Sequence, residues 1–348
     1  SDTRARATEN YYIDFKSAEL SASNTTSVSN SRTNLAVAPN ETKESQETQE
    51  SMAAIHTQML LAALAIASYK QQPKHTMPKL TQQTKPDHKR DDDTPRHIPI
   101  DLEWANVTFS VANKTILDNV HGAARQGRLL AIMGPSGSGK TSLLNALAGQ
   151  TRATKKARLV GTLLLNGAPT PSVASASSAT NGDARAAYVR QTDVFYTQMT
   201  VRETLMFAAR LRLPSSMPLS AKRERVDELL RKLSLLKVAD TIVGDVRRRG
   251  ISGGERKRLS IGCELLGSPS LLFRDEPTSG LDAYQAERVM ESLKLLAAEG
   301  CTVVAVIHQP RSSIFGMLDD LLLLSEGRTV YSGPAAAAAA RFEALGFP

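Results

Sequence analysis

Cysteine is nearly absent: the 348 residues hold two, Cys263 and Cys301, far from each other in the chain. That excludes a disulfide framework and fits a reducing compartment, where small thiols fill apolar space. Long hydrophobic runs are lacking as well. The longest, Met59–Ala67, falls well short of the ~20 apolar residues a spanning helix needs. It also lies too deep in the chain, with no basic flank before it, to serve as a secretory signal. There is no internal repeat. The chain opens on Ser1 rather than Met, as expected of a processed, trimmed or partial sequence.

Net charge is missing from the first part. Residues 1–98 carry 12 Lys/Arg and 12 Asp/Glu, so the formal +8 of the chain sits entirely in the remainder. A basic remainder suits an anionic partner (nucleotide, nucleic acid or acidic lipid) or serves solubility alone. Residues 1–98 are also poor in apolar side chains, as in Ser21–Ser31 and Glu41–Ser51. Such stretches cannot offset chain entropy, so this region reads as largely disordered. Residues 51–69, rich in Ala, Leu and Met, are the exception. They read as one helix, either solvated or docked. Lys89-Arg90-Asp91-Asp92-Asp93 reads as linker.

From about residue 99 the texture changes. Short apolar runs alternate with helical periods, the pattern of an α/β domain with a largely parallel sheet. The strands predicted are Leu102–Phe109, Arg128–Met133, Leu159–Leu165, Ala186–Arg190, Ser270–Asp275, Thr302–Ile307, Asp320–Leu324 and Thr329–Tyr331. The helices predicted are Lys140–Ala148, Val201–Leu211, Ala221–Leu235, Gly253–Leu266, Ala283–Ala298 and Ala335–Leu345. Glu326-Gly327 reads as a turn, and Pro171–Asp183 as a surface insertion.

One stretch carries chemistry in its required setting. An apolar strand runs into Gly134-Pro135-Ser136-Gly137-Ser138-Gly139-Lys140-Thr141-Ser142, and a helix follows. This is the P-loop pattern. Its glycines let backbone N–H groups curl around a phosphate, and the helix N-terminus adds partial positive charge. Lys140 is placed to bridge the β- and γ-phosphates of ATP, and Thr141 to reach Mg²⁺. A second apolar strand ends in Asp275-Glu276. There Asp275 is suited to hold the Mg²⁺ hydration shell, and Glu276 to orient or deprotonate the attacking water.

Between these lies Ile251-Ser252-Gly253-Gly254-Glu255-Arg256-Lys257-Arg258. Ser252 and Glu255 form a capping box. The glycines leave N–H groups at a helix start, a second anion site. A chain with one nucleotide pocket seldom uses two such sites, so this one suits the γ-phosphate held by a neighbouring copy.

The segment resembles the LSGGQ signature of ABC ATPases, with Glu255 in place of glutamine. The order of the other landmarks is that family's order. Gln191, in Tyr188-Val189-Arg190-Gln191, resembles the Q-loop glutamine, which joins Thr141 and Asp275 around Mg²⁺. Ser279-Gly280-Leu281-Asp282 resembles the D-loop, and His308 the switch histidine. Phe109, 25 residues before Gly134, resembles the aromatic that stacks on adenine, with Trp104 as a rival. Thr200–Leu205, Gly250–Arg258, Ile307–Phe315 and Leu322–Tyr331 resemble the G subfamily, the White-type half transporters.

The resemblance covers about Leu102 to Pro348. It implies a P-loop NTPase domain over residues 99–348: a mixed sheet core with a helical subdomain at about 192–266. It implies ATP and Mg²⁺, and catalytic roles for Glu276, His308 and Gln191. It implies a second nucleotide-binding domain that offers Ser252, Gly253, Gly254 and Glu255 in trans, in a homo- or heterodimer. It also implies a membrane domain that this chain does not contain, a place on the cytoplasmic face of a membrane, and cargo such as lipids, sterols or xenobiotics. No nucleic acid partner is expected. The rival reading is a soluble or regulatory ABC subunit without transport of its own.

Arg274 departs from the pattern, because the position before the Mg²⁺ aspartate is normally apolar. Asp275 faces the nucleotide, so Arg274 faces the other side of the sheet with Leu272. There a guanidinium must find a carboxylate or snorkel out. We expect Arg274 to lower stability without abolishing chemistry, so that Arg274→Leu raises the melting temperature. The basic clusters Arg247–Arg249 and Arg256–Arg258 face either lipid headgroups or solvent.

Overall fold

The computed structural model describes residues 99–346, except 113, 152–155, 171–185 and 246. The predicted disorder of residues 1–98, the helix at 51–69 and the insertion at 171–183 lie outside the described residues.

Two sheets form, built for different surroundings. The first has four strands in the order β2-β1-β4-β5: β1 Leu102–Val111, β2 Lys114–Ala124, β4 Ala157–Leu165 and β5 Ala168–Thr170. All its pairings are antiparallel. The second has six strands in the order β10-β9-β3-β8-β7-β6. Its members are β3 Leu129–Met133, β6 Ala186–Val189, β7 Leu271–Asp275, β8 Thr302–Val306, β9 Asp320–Ser325 and β10 Arg328–Pro334. Five run parallel and β10 returns antiparallel.

Every residue of β3, β7, β8 and β9 is buried, as expected for parallel strands covered on both faces. Successive side chains point to opposite faces. Leu129, Ala131, Leu272, Val303 and Ala305 join one core, and Leu130, Ile132, Leu271, Phe273, Val304 and Val306 join the other.

The second core is closed by helix α1, Lys140–Leu147, and by the antiparallel sheet. The first is closed by a helical layer: α2 Val201–Arg212, α3 Leu219–Lys232, α4 Gly253–Leu265 and α5 Ala283–Ala298. The short helices α6, Ser312–Phe315, and α7, Ala338–Ala344, complete that side. Three of these helices, α2, α4 and α5, begin where the sequence supplies a side-chain cap. Thr200 and Glu203 form a capping box at α2, and Asp282 caps α5 by accepting from the Gln285 N–H.

The six-stranded sheet is the largely parallel one expected, and a separate antiparallel sheet accompanies it. Strand β2 had no sequence signal. Polar residues interrupt its alternation, Asn119 adopts φ 52°, and the pairing with β1 shifts register three times. The expected helix from Ala335 to Leu345 opens as a 3₁₀ turn over Ala335–Ala337 before α7. The β9–β10 turn forms at Glu326-Gly327, both with positive φ (49° and 75°), the backbone of a tight hairpin.

Candidate functional site

Four neighbouring parallel strands deliver the site. At their carboxyl ends, β3 runs into the loop before α1, β7 ends in Asp275-Glu276, β8 leads to His308, and β6 leads to Gln191. The carboxyl edge of a parallel sheet is the usual binding crevice of open α/β folds.

The loop from Gly134 to Gly139 has no room for side chains at its ends. A Cβ on Gly134 would lie 2.1 Å from the Leu324 carbonyl oxygen, and one on Gly139 would lie 2.7 Å from Leu117 Cδ2. Both have positive φ (149° and 93°), which suits glycine. Lys140 is 7% exposed, and its Nζ donates to the carbonyls of Gly134 (3.0 Å) and Pro135 (2.6 Å). Burial pulls its pKa down, against the raising pull of Glu276 and Asp275. Ser138 Oγ is buried with no hydrogen-bond partner among the described residues. A buried ammonium, a hydroxyl without a hydrogen-bond partner among the described residues and a helix N-terminus together make a donor set that fits a polyphosphate.

Beside the loop, Thr141 Oγ1 donates to Asp275 Oδ1 at 3.2 Å. These hard oxygens suit Mg²⁺, which takes few protein ligands and completes its shell with water and phosphate. Burial pushes the Asp275 carboxyl above the usual carboxylate range, and Thr141, Arg274 and Lys140 oppose it. Glu276, at φ 42°, accepts a hydrogen bond of 2.6 Å from Gln191 Nε2. The structure therefore brings Gln191 and Glu276 together, and Thr141 and Asp275 together. His308 stands exposed just beyond the buried Ile307.

The signature segment opens α4. Ser252 Oγ accepts from the Glu255 N–H (3.3 Å), and Glu255 Oε2 accepts from the Ser252 N–H (2.8 Å). Ser252 and Gly253 are exposed. The Gly254 N–H is not bare, contrary to expectation. It donates to Gln285 Oε1 at 2.7 Å, and Gln285 Nε2 donates to Asp282 Oδ2 at 2.5 Å. The Ser279–Asp282 loop and the signature helix are thus tied within one chain. Ser279, Gly280 and Asp282 are exposed.

Neither aromatic candidate offers an open ring. Phe109 (9% exposed) and Trp104 (2%) both lie in the core beneath the antiparallel sheet. The spacing from Gly134 could not distinguish a stacking position from a core position on β1.

Arg274 found its carboxylate. Its side chain is fully buried, and Nη2 stands 3.6 Å from Asp193 Oδ1. Another guanidinium nitrogen donates to the Arg190 carbonyl. Nε and Nη2 have no hydrogen-bond partner among the described residues, and burial lowers the pKa despite Asp193. Asp193 also pairs with Lys257 of α4 at 3.1 Å. Asp193 and Gln285 went unassigned in the sequence, and Lys257, expected with Arg256 and Arg258 to face lipid headgroups or solvent, turns inward to Asp193 and the Gln191 carbonyl instead. The need of Arg274 for a counter-charge was the one available signal for Asp193.

Strand, phosphate loop and helix N-terminus define a P-loop ATPase, and the signature at α4 makes it one of the ABC kind. Residues 117–279 match the family described as ABC transporter. ABC transporter G family member 7 of Arabidopsis thaliana is 52% identical over 243 residues, 68% of this chain and 32% of that protein. ABC transporter G family member 5 of Oryza sativa subsp. japonica is 48% identical over 223 residues, 64% of this chain and 27% of that protein. The broad substrate specificity ATP-binding cassette transporter ABCG2 of Rattus norvegicus is 47% identical over 237 residues, 68% of this chain and 34% of that protein. The chain thus belongs to the ABC transporter family, as a nucleotide-binding domain of its G subfamily. It spans about a third of the length of these curated relatives. No helix among the described residues is long and apolar enough to cross a membrane.

Proposed function

We propose that this chain hydrolyses ATP as one half of a nucleotide sandwich and so drives a half transporter of the G subfamily. The observation that carries the reading is the pairing of Gln191 with Glu276, set beside Lys140, Thr141 and Asp275 at one sheet edge. In this reading the N–H groups of residues 134–142 cradle the phosphates, and Lys140 leaves its two loop carbonyls for the β- and γ-phosphates. Thr141, Asp275 and Gln191 hold Mg²⁺, which supplies charge neutralisation at the phosphates. Glu276 orients and deprotonates the attacking water, and His308 contacts the γ-phosphate. Ser252, Gly253 and Gly254 of a second chain, flanked by Glu255, close over that phosphate. The loop Ser279–Asp282 lies between the two sites. Hydrolysis removes charge that held the halves together, and the halves part.

The nucleotide-binding domain comprises residues 99–348, with 192–266 as its helical subdomain. Its place is the cytoplasmic face of a membrane, coupled to a membrane domain. The cargo class is lipid, sterol or xenobiotic, in keeping with a relative described as having broad substrate specificity. The test is Mg²⁺-dependent ATP hydrolysis measured against protein concentration, beside Glu276→Gln. Specific activity that rises with concentration and is lost in the variant supports the reading. Turnover that survives in Glu276→Gln contradicts it.

A further inference from the structure

Gln191 must present its side chain to Glu276 from the end of an edge strand, where the backbone has left the sheet. Two cations from two different layers hold that backbone. Arg274, on the helical face of β7, donates to the carbonyl of Arg190. Lys257, on α4, donates to the carbonyl of Gln191 at 2.5 Å. Asp193, two residues on, is the counter-ion of both, at 3.6 Å from Arg274 and 3.1 Å from Lys257. Its side chain is 4% exposed, so neither pairing is screened by water.

A leucine at 274 would pack this strand without a buried charge. The chain carries instead a guanidinium whose Nε and Nη2 have no hydrogen-bond partner among the described residues. An apolar core does not require that arrangement, and buried ion pairs contribute little net stability over apolar side chains of similar size. What the arrangement does provide is a fixed position for residues 190–193 relative to β7 and α4. Because α4 opens on Ser252–Gly254, the signature helix and Gln191 share one anchor.

We propose that Arg274, Asp193 and Lys257 form a clamp on the Arg190–Gln191 backbone that positions Gln191 against Glu276 and ties it to the signature helix. The three are positioning residues, acting through Gln191. The clamp rests on the reading that Gln191 and Glu276 serve hydrolysis.

The test uses the full chain with Arg274→Met, Asp193→Asn and Lys257→Met, and Lys257→Arg as the conservative control. Two readouts are taken: steady-state hydrolysis of Mg-ATP, and amide hydrogen exchange of a peptide covering residues 186–196. In the first three variants kcat is expected to fall about tenfold, the scale of loss from a slightly misplaced catalytic group, while KM for ATP moves less than twofold. Exchange at residues 190–193 is expected to speed up. Lys257→Arg recovers both. Exchange and kcat both unchanged in Asp193→Asn and Lys257→Met overturn the clamp, and so does a matching rise in KM that marks lost nucleotide binding. Arg274→Met risks disturbing the strand, but Lys257 lies at the edge of the cluster and its variants report independently. If the unaltered chain does not turn over Mg-ATP, the proposed function fails, while the exchange measurement still decides the clamp.

Discussion

Asp275 shows how the site trades stability for readiness. Its carboxyl is held above the ordinary range, chiefly by burial. Below the unfolded pKa both states are protonated and the residue costs nothing. As pH rises through the ordinary carboxylate range, the unfolded chain ionises first and the folded chain loses relative stability. Asp275→Asn is therefore expected to melt higher than the unaltered protein at pH 7, to converge with it at mildly acidic pH, and to lose turnover. Thermal unfolding of both proteins from pH 4 to 7 measures this, and a constant difference across that range contradicts it. Lys140 carries the opposite sign of charge and the same burial cost. Its penalty holds at neutral pH and disappears only as pH rises toward the unfolded lysine value, so nucleotide phosphate is its natural relief. Saturating ATP at about 100 times Kd stabilises a binding protein by ~2.7 kcal/mol. Lys140→Met is expected to abolish most of that rise in melting temperature. Gly134→Ala tests the loop itself. Backbone strain alone costs about 1–3 kcal/mol at such a φ, and the contact with the Leu324 carbonyl adds to it.

At the scale of elements, the chain contains its own control. Helices α2 and α4 open on the same capping box, Thr200 with Glu203 and Ser252 with Glu255. Thr200→Ala and Ser252→Ala should each cost ~1 kcal/mol in denaturant unfolding. If Ser252 serves a neighbour's phosphate, Ser252→Ala also loses most turnover while Thr200→Ala keeps it. Equal activities would reduce the signature to a cap. Elements with a clean period were legible in the sequence. The wholly buried strands β3 and β8 and helix α5 fell within a residue or so of their observed bounds, because burial on both faces or on one stripe writes itself into composition. Strand β2 was not legible, since its pairing is set by β1 and tolerates polar residues, a left-handed Asn119 and register shifts. The Gly134–Gly139 loop and the Asp275-Glu276 pair stood out in the sequence by residue type and spacing, and the structure brings both to one sheet edge. Asp193 and Gln285 did not stand out, because they act across elements far apart in sequence, and for the same reason Lys257 was read only as part of an outward-facing basic cluster. Phe109 shows the limit of spacing alone, since strand β1 carries it into the core.

For the whole molecule, the surface asymmetry is the informative feature. The loop of residues 134–139, Gln191 and Glu276 gather at one sheet edge, whereas Ser252 and Gly253 stand exposed at the capped head of α4. A complete site in this account takes a loop from one chain and a signature from another. Mixing two disabled chains, Lys140→Met and Ser252→Ala, tests that claim most directly. Each alone is expected to be nearly inactive. An equal mixture pairs an intact loop with an intact signature in one site of each mixed dimer, so activity should return to about a quarter of that of the unaltered protein by the statistics of a two-fold assembly. A mixture no more active than its components contradicts the shared site.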